Sequence, residues 1–284
     1  MSPASQWNDG GGGGGFALPS LTPGVKWLLL LNGGIWIFAN LLMFLVLPQE
    51  TFTAFERGMA AWFGLDPGSW TWWFPRVWQL LTYGFLHAPD LSHVLFNMLG
   101  LFFFGTMLEG ILGTRKFLSF YGMAVALGGA AALAYGWLTG DMTPTVGASG
   151  GVLAVIVAMA VLRPHTRVIF IMFPIALWVL AVGVVFMDVM RVVYTIKGVS
   201  GDMVSWQVHL TGAAFGFLAA KKGWMWRDLL SDYEGLKERR AEKKAADDDK
   251  RMDEILAKIG REGMHSLTSA EKAFLNKASK RKSG

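Results

Sequence analysis

Residues 27–47, WLLLLNGGIWIFANLLMFLVL, run for 21 positions without a charge. As a helix, a stretch of this length covers about 30 Å, the thickness of the hydrocarbon core of a bilayer. No water is available there, so each backbone N–H and C=O must be satisfied within the chain, and a helix does this unaided. Further apolar runs lie at about 91–108, 117–137, 147–162, 168–187 and 204–220. Six spans predict an all-α polytopic membrane protein. The charge distribution points the same way, because 27 of the 47 charged residues fall in 223–284 and the first three-quarters of the chain is correspondingly apolar.

This pattern divides the chain into a polar leader (1–25), a six-span core (26–222) and a charged cytoplasmic tail (223–284). The leader carries six consecutive glycines at 10–15 and lacks the basic start and cleavage site of a signal peptide, so it reads as disordered and cytoplasmic. Lys26, Arg115-Lys116, Arg163 with Arg167, and Lys221-Lys222 share one side if the spans alternate. The positive-inside rule makes that side cytoplasmic, with both termini there, in the plasma (inner) membrane. Between spans 1 and 2 lies a long loop, 48–90, bearing Trp62, Trp70, Trp72, Trp73 and Trp78. Amphipathic rings favour the headgroup level, which places this loop in the outer leaflet. In the tail, Met252, Ile255, Leu256 and Ile259 share a helix face, and Thr268-x-x-Glu271 is a capping box for a second helix bearing Phe274 and Leu275. A helical hairpin is predicted. The basic isoelectric point, 9.4, reflects loop and tail residues and does not indicate nucleic acid as a partner.

Polar groups inside spans are costly and mark candidate functional positions. Zero cysteines exclude a thiol nucleophile, disulfides and Cys-bound zinc. Ser149, in Gly147-Ala148-Ser149-Gly150-Gly151, stands where loop turns to helix after Pro144. There its hydroxyl can be open beside backbone N–H groups that favour negative charge. The plainer alternative is an N-cap on a small-residue packing face. His209 shares a helix face with Gly212 and Gly216 and is either a structural residue, a proton relay or a base for a serine hydroxyl. His93 and Asn97, spaced i and i+4, are either oxyanion donors or interhelical glue. His87, Asp90, His93 and His209 have metal-ligating side chains, but no His-Glu-x-x-His motif is present, and neither a metal nor another cofactor is called for. Glu109, near Arg115-Lys116, reads as a structural cap or ion pair.

Taken together, Trp78-Gln79 and Thr82 leading to Phe85-Leu86-His87, His93-x-x-x-Asn97, Glu109-x-x-x-Gly113, Gly147-Ala148-Ser149-Gly150 and His209-x-x-Gly212-x-x-x-Gly216 resemble the rhomboid intramembrane serine proteases. The resemblance covers about residues 26–222. It implies a six-helix rhomboid-like transmembrane bundle with the long outer-leaflet loop between spans 1 and 2. It also implies a serine-type endopeptidase with a Ser–His dyad and no third carboxylate. In that reading Ser149 attacks the peptide carbonyl, His209 acts as base and then acid, and Asn97, His93 and the Ser149 N–H hold the oxyanion. Gly147, Gly150, Gly212 and Gly216 would support the helix packing. The substrates implied are single-pass transmembrane proteins within the lipid bilayer. One turn after the serine the family commonly carries an aromatic residue stacked on the histidine; here it is Leu153, so something else must orient His209. His87 to His93 is one residue longer than usual, and His87 is left outside the catalytic set. Two other classes compete: a catalytically inactive rhomboid-like protein that binds membrane clients, which loss of the serine or histidine would signal, and a transporter or channel, which calls for broken helices and paired charges at mid-membrane.

Overall fold

The computed structural model describes residues 19–71, 73–170, 173–199, 205–226, 229–269, 271–272 and 274–275. It separates into two compact units, Met1–Arg227 and Asp228–Gly284. Among the described residues of the first unit, four helices are long and apolar enough to cross a membrane: α1 (Pro23–Val46), α3 (Leu91–Leu112), α4 (Thr114–Thr139) and α6 (Leu177–Ile196). Two shorter helices, α5 (Ser149–Leu162) and α7 (Trp206–Lys222), complete a six-helix bundle. Helix α2 (Gln49–Phe63) lies in the long loop between α1 and α3. Helix α1 begins inside the stretch read as leader, with Pro23 in its first turn, where a missing N–H costs no bond; residues 1–18 lie outside the described residues.

Helix α5 occupies the centre: Gly150 through Ala160 are all buried, although nothing in their periodicity marks one face. A helix apolar all round is one surrounded by others. By contrast α1 and α6 leave many of their apolar side chains exposed, including Leu30, Leu45, Val182 and Phe186, as a lipid-facing periphery does.

The fifth span differs from its sequence reading. Residues 168–187 do not form one helix: Arg167–Phe170 (β1) and Phe173–Ala176 (β2) pair antiparallel, and α6 runs on to Ile196. The β-branched and aromatic residues Val168, Ile169, Phe170, Phe173 and Ile175 suit a strand as well as an apolar helix, and hydropathy alone does not separate the two. The all-α class holds for the bundle as a whole, and this one short hairpin is a local departure confined to the start of the fifth span. The consequence is positional, since Asp188, read as loop, lies within α6 and is fully buried.

Glu109 is also more specific than an ion pair with the neighbouring basic loop. It is buried in α3 and accepts hydrogen bonds from Gly24 N and Val25 N at 2.8 Å each, from Thr22 Oγ1 at 2.5 Å and from Thr114 Oγ1 at 2.6 Å. One carboxylate from another helix thus satisfies free N–H groups of the first turn of α1 and places negative charge at its positive end.

The long loop is tied down by its tryptophans and Gln79. Trp78 Nε1 donates to Trp62 O at 2.8 Å, Trp70 Nε1 donates to Gln79 Oε1 at 2.8 Å, and buried Gln79 donates from Nε2 to Ala61 O at 2.9 Å. Trp62 and Trp73 remain exposed; Trp72 is outside the described residues.

In the second unit α8 (Leu229–Glu262) is a single 34-residue helix, ended by Gly263 at φ 80°. The capping box forms: Thr268 N donates to Glu271 Oε2 at 2.6 Å, and Glu271 N donates back to Thr268 Oγ1 at 3.3 Å. Hydrogen bonds from the backbone and side chain of Thr268, then from Lys258, hold the Glu271 carboxyl down at about 2. On α8, Ile255 is buried, whereas Leu256 turns outward and is half exposed.

Candidate active site

Ser149 opens α5, and the segment leading to it is held from two sides. Thr145 bridges to Leu65, exchanging backbone hydrogen bonds of 2.8 and 3.0 Å, and Gly147 N donates to Tyr83 O at 2.9 Å. Buried Tyr83 is itself anchored by its hydroxyl to Val125 O at 2.8 Å. Gly147 has φ 127°, a conformation that side-chain-bearing residues rarely adopt, and a Cβ there would lie 2.8 Å from His93 Nε2 and 3.8 Å from Ser149 Oγ. Glycine at this position therefore serves twice: it makes the turn into α5 and leaves room for the His93 ring beside the serine.

Sixty residues on, α7 brings His209 to the same point, with Ser149 Oγ 2.7 Å from His209 Nε2. The approach depends on absent side chains. A Cβ on Gly212 would collide with Gly150 O, a Cβ on Gly216 with Ala154 O, and a Cβ on Gly150 would come within 2.5 Å of Val208 Cγ1. Backbone contact of this kind is what small-xxx-small spacing permits between helices in lipid.

His209 has a second partner that the sequence reading did not provide. Its Nδ1 lies 3.0 Å from Oδ1 and 3.1 Å from Oδ2 of Asp188, and Arg191 Nη1 donates to Asp188 Oδ1 at 2.6 Å. A carboxylate only accepts, so Nδ1 carries the ring hydrogen and Nε2 is left as the acceptor for the serine hydroxyl. The expectation that no acidic residue stands beside His209 is corrected. The signal was present in the inward stripe of α6, where Leu177, Ala181 and Asp188 are buried at spacings of four and seven, an acid on an otherwise apolar face. In the sequence Asp188 falls one residue past the apolar run that ends at 187.

His93 and Asn97 share one face of α3, and the structure treats them differently. The His93 ring sits against Gly147, as above, and packs edge-on to His87 at 5.2 Å between centroids. Asn97 is buried and donates from Nδ2 to the His93 backbone O at 2.9 Å, which leaves its second amide hydrogen for another acceptor. His87 Nε2 is 3.5 Å from Ala148 N, immediately before the serine. Asp90, weighed above as a metal ligand, is exposed and instead caps α3. The Ser92 hydroxyl donates to it at 2.5 Å and Ser92 N at 3.1 Å, and these contacts hold its carboxyl below the usual range.

The arrangement has the parts of an acyl-transfer centre: a hydroxyl bonded to an imidazole, an orienting group behind the imidazole, and N–H groups at a helix start beside the hydroxyl. The region that carries these residues also matches known proteins. Residues 75–225 match the family model described as Rhomboid domain, and residues 237–281 match a family of unknown function, DUF6576. The chain is 31% identical over 160 residues to "RHOMBOID-like protein 12, mitochondrial" of Arabidopsis thaliana, an alignment covering 51% of this chain and 46% of that protein. It is 34% identical over 102 residues to "Putative rhomboid protease YdcA" of Bacillus subtilis, covering 36% and 44% respectively. With "Rhomboid protein 1, mitochondrial" of Saccharomyces cerevisiae the identity is 30% over 123 residues, covering 37% and 36%. The chain thus spans less than half the length of each of these relatives.

Proposed function

We propose, from the premise that this chain belongs to the rhomboid family, that it is an intramembrane serine endopeptidase. The observation that carries this reading is the 2.7 Å contact between Ser149 Oγ and His209 Nε2. In the reaction Ser149 Oγ attacks a peptide carbonyl while its proton passes to His209 Nε2. The same proton then goes to the leaving amine as the C–N bond breaks. Water, deprotonated by His209, releases the acyl group and restores the serine. The substrates are single-pass transmembrane proteins. Labelling by a serine-directed fluorophosphonate, together with cleavage of a model transmembrane substrate, tests the reading. Both are expected in the wild type and neither in Ser149→Ala; a folded wild-type protein that does neither leaves the client-binding alternative standing.

The oxyanion formed on the carbonyl would be held by the Ser149 N–H, by His93 beside Gly147 and by the second amide hydrogen of Asn97. Loss of one such donor typically removes about 2.7–4 kcal/mol of transition-state stabilisation. Asn97→Ala should therefore lower kcat by roughly 10²–10³-fold at unchanged folding. Unaltered turnover in a His93→Ala, Asn97→Ala double variant would mark the pair as helix-packing residues only.

Depth in the membrane follows from length. Helix α5 has 14 residues, about 21 Å, against roughly 30 Å of hydrocarbon. Arg163, exposed just after its C-terminal end, belongs at the aqueous boundary, so the Ser149 end is the recessed one. With the basic loops inside, Ser149 lies toward the outer leaflet of the plasma (inner) membrane and both termini face the cytoplasm. A reporter fused to the C-terminus reads this directly: activity on the outer side would overturn the orientation.

A further inference from the structure

Asp188 is fully buried, on the inward face of a helix whose outward side chains are apolar and exposed. An ionised carboxylate in such a place is unfavourable unless it is paired and hydrogen-bonded. Arg191, one turn along the same face, supplies the charge partner at 2.6 Å, and the His209 ring supplies the second bond at 3.0 Å. The other buried side chains on the inward face of α6, Leu177 and Ala181, are both apolar. The position of the carboxylate is matched to the imidazole: both oxygens lie within 3.1 Å of Nδ1, on the side of the ring opposite to Ser149.

Building on the proteolytic reading above, we propose that Asp188 is a positioning residue for the Ser149–His209 pair, adding a third member to the dyad whose charge is balanced by Arg191. Two effects follow from the geometry. In the resting enzyme the carboxylate fixes the Nδ1–H tautomer and the ring plane, so that the Nε2 lone pair is directed at the serine hydroxyl. This is the orienting role that a stacked aromatic would fill and that Leu153 does not. During attack the proton moves from Ser149 Oγ to Nε2 and the ring becomes an imidazolium, whose positive charge is then stabilised by the adjacent carboxylate. Asp188 touches neither substrate nor the reacting oxygen, and it exchanges no proton.

The test is Asp188→Asn in the full-length protein. This variant keeps the shape of the side chain, removes the charge, and allows the opposite tautomer of His209. The second-order rate of fluorophosphonate labelling and the kcat for a transmembrane substrate should fall together, by at least about 10²-fold, with KM within about two-fold of wild type. Asp188→Glu, which restores the carboxylate, should recover part of the rate. It also serves as the measurement if Asp188→Asn does not fold, with a labelling rate below wild type but above that of His209→Ala. Labelling of folded Asp188→Asn within two-fold of wild type overturns the proposal, as does a loss confined to KM, or equal losses in the Asn and Glu variants that track their melting temperatures. Each of these leaves the proteolytic reading intact provided the wild type labels at Ser149, whereas a wild type that neither labels nor cleaves removes both.

Discussion

Ser149→Ala and His209→Ala should each abolish cleavage, and the double variant should be no worse than either alone. The hydroxyl and the imidazole are joined by a single 2.7 Å hydrogen bond and act in one proton transfer. Removing the base leaves an un-ionised hydroxyl with little nucleophilicity; removing the hydroxyl leaves a base with nothing to activate. In a well-studied serine protease, loss of either member costs on the order of 10⁶-fold, about as much as loss of all of them, and the remaining rate comes from substrate binding and the oxyanion donors. The measurement is a double-mutant cycle on kcat with a model substrate. Independent contributions would multiply the two losses. That result, or fluorophosphonate labelling of His209→Ala at the wild-type rate, would mean that another group activates the serine.

Gly212→Val should suppress labelling and proteolysis together although both reacting side chains are untouched. The Cβ of any residue at 212 falls on Gly150 O, a backbone atom at the start of α5 that has no rotamer through which to yield. Relief requires the two helices to part by an ångström or more at the level of the site, since Gly212 is one turn from His209 and Gly150 adjoins Ser149. A displacement of about 1 Å at a reacting group can cost roughly 10²-fold in rate. Valine adds two further methyl groups, so the loss should exceed that and be accompanied by a lower melting temperature. Gly216→Ala, which meets Ala154 O one turn further from the serine, should lower the melting temperature with a smaller effect on labelling. Wild-type labelling in a folded Gly212→Val variant would show that contact between α5 and α7 does not set the Ser149–His209 distance.

Much of this protein was legible one residue at a time. Charge-free runs long enough to cross a bilayer, glycines at three- and four-residue spacing after His209, a serine where loop turns to helix, and Thr268-x-x-Glu271 all state a preference of the residue for its medium or its near neighbours. Such preferences survive without knowledge of the fold, and the spans, the close helix packing and the capping box followed from them. What only the tertiary structure decided are pairings between residues far apart in the chain. Glu109 reads locally as an acid near an Arg-Lys loop, yet its bonds go to the first turn of α1, some 85 positions earlier. The strands Arg167–Phe170 and Phe173–Ala176 have the hydropathy of the helix that follows, and their ladder appears only once the two are side by side. Asp188 stands 21 positions from His209 and looks like the polar end of an apolar run, until the true start of α6 moves it into the bundle. The physical reason is common to all three. Hydropathy is a property of one side chain against its solvent, whereas a hydrogen bond or ion pair in a low-dielectric interior belongs to two groups together, and its value depends on a distance that only the folded chain sets.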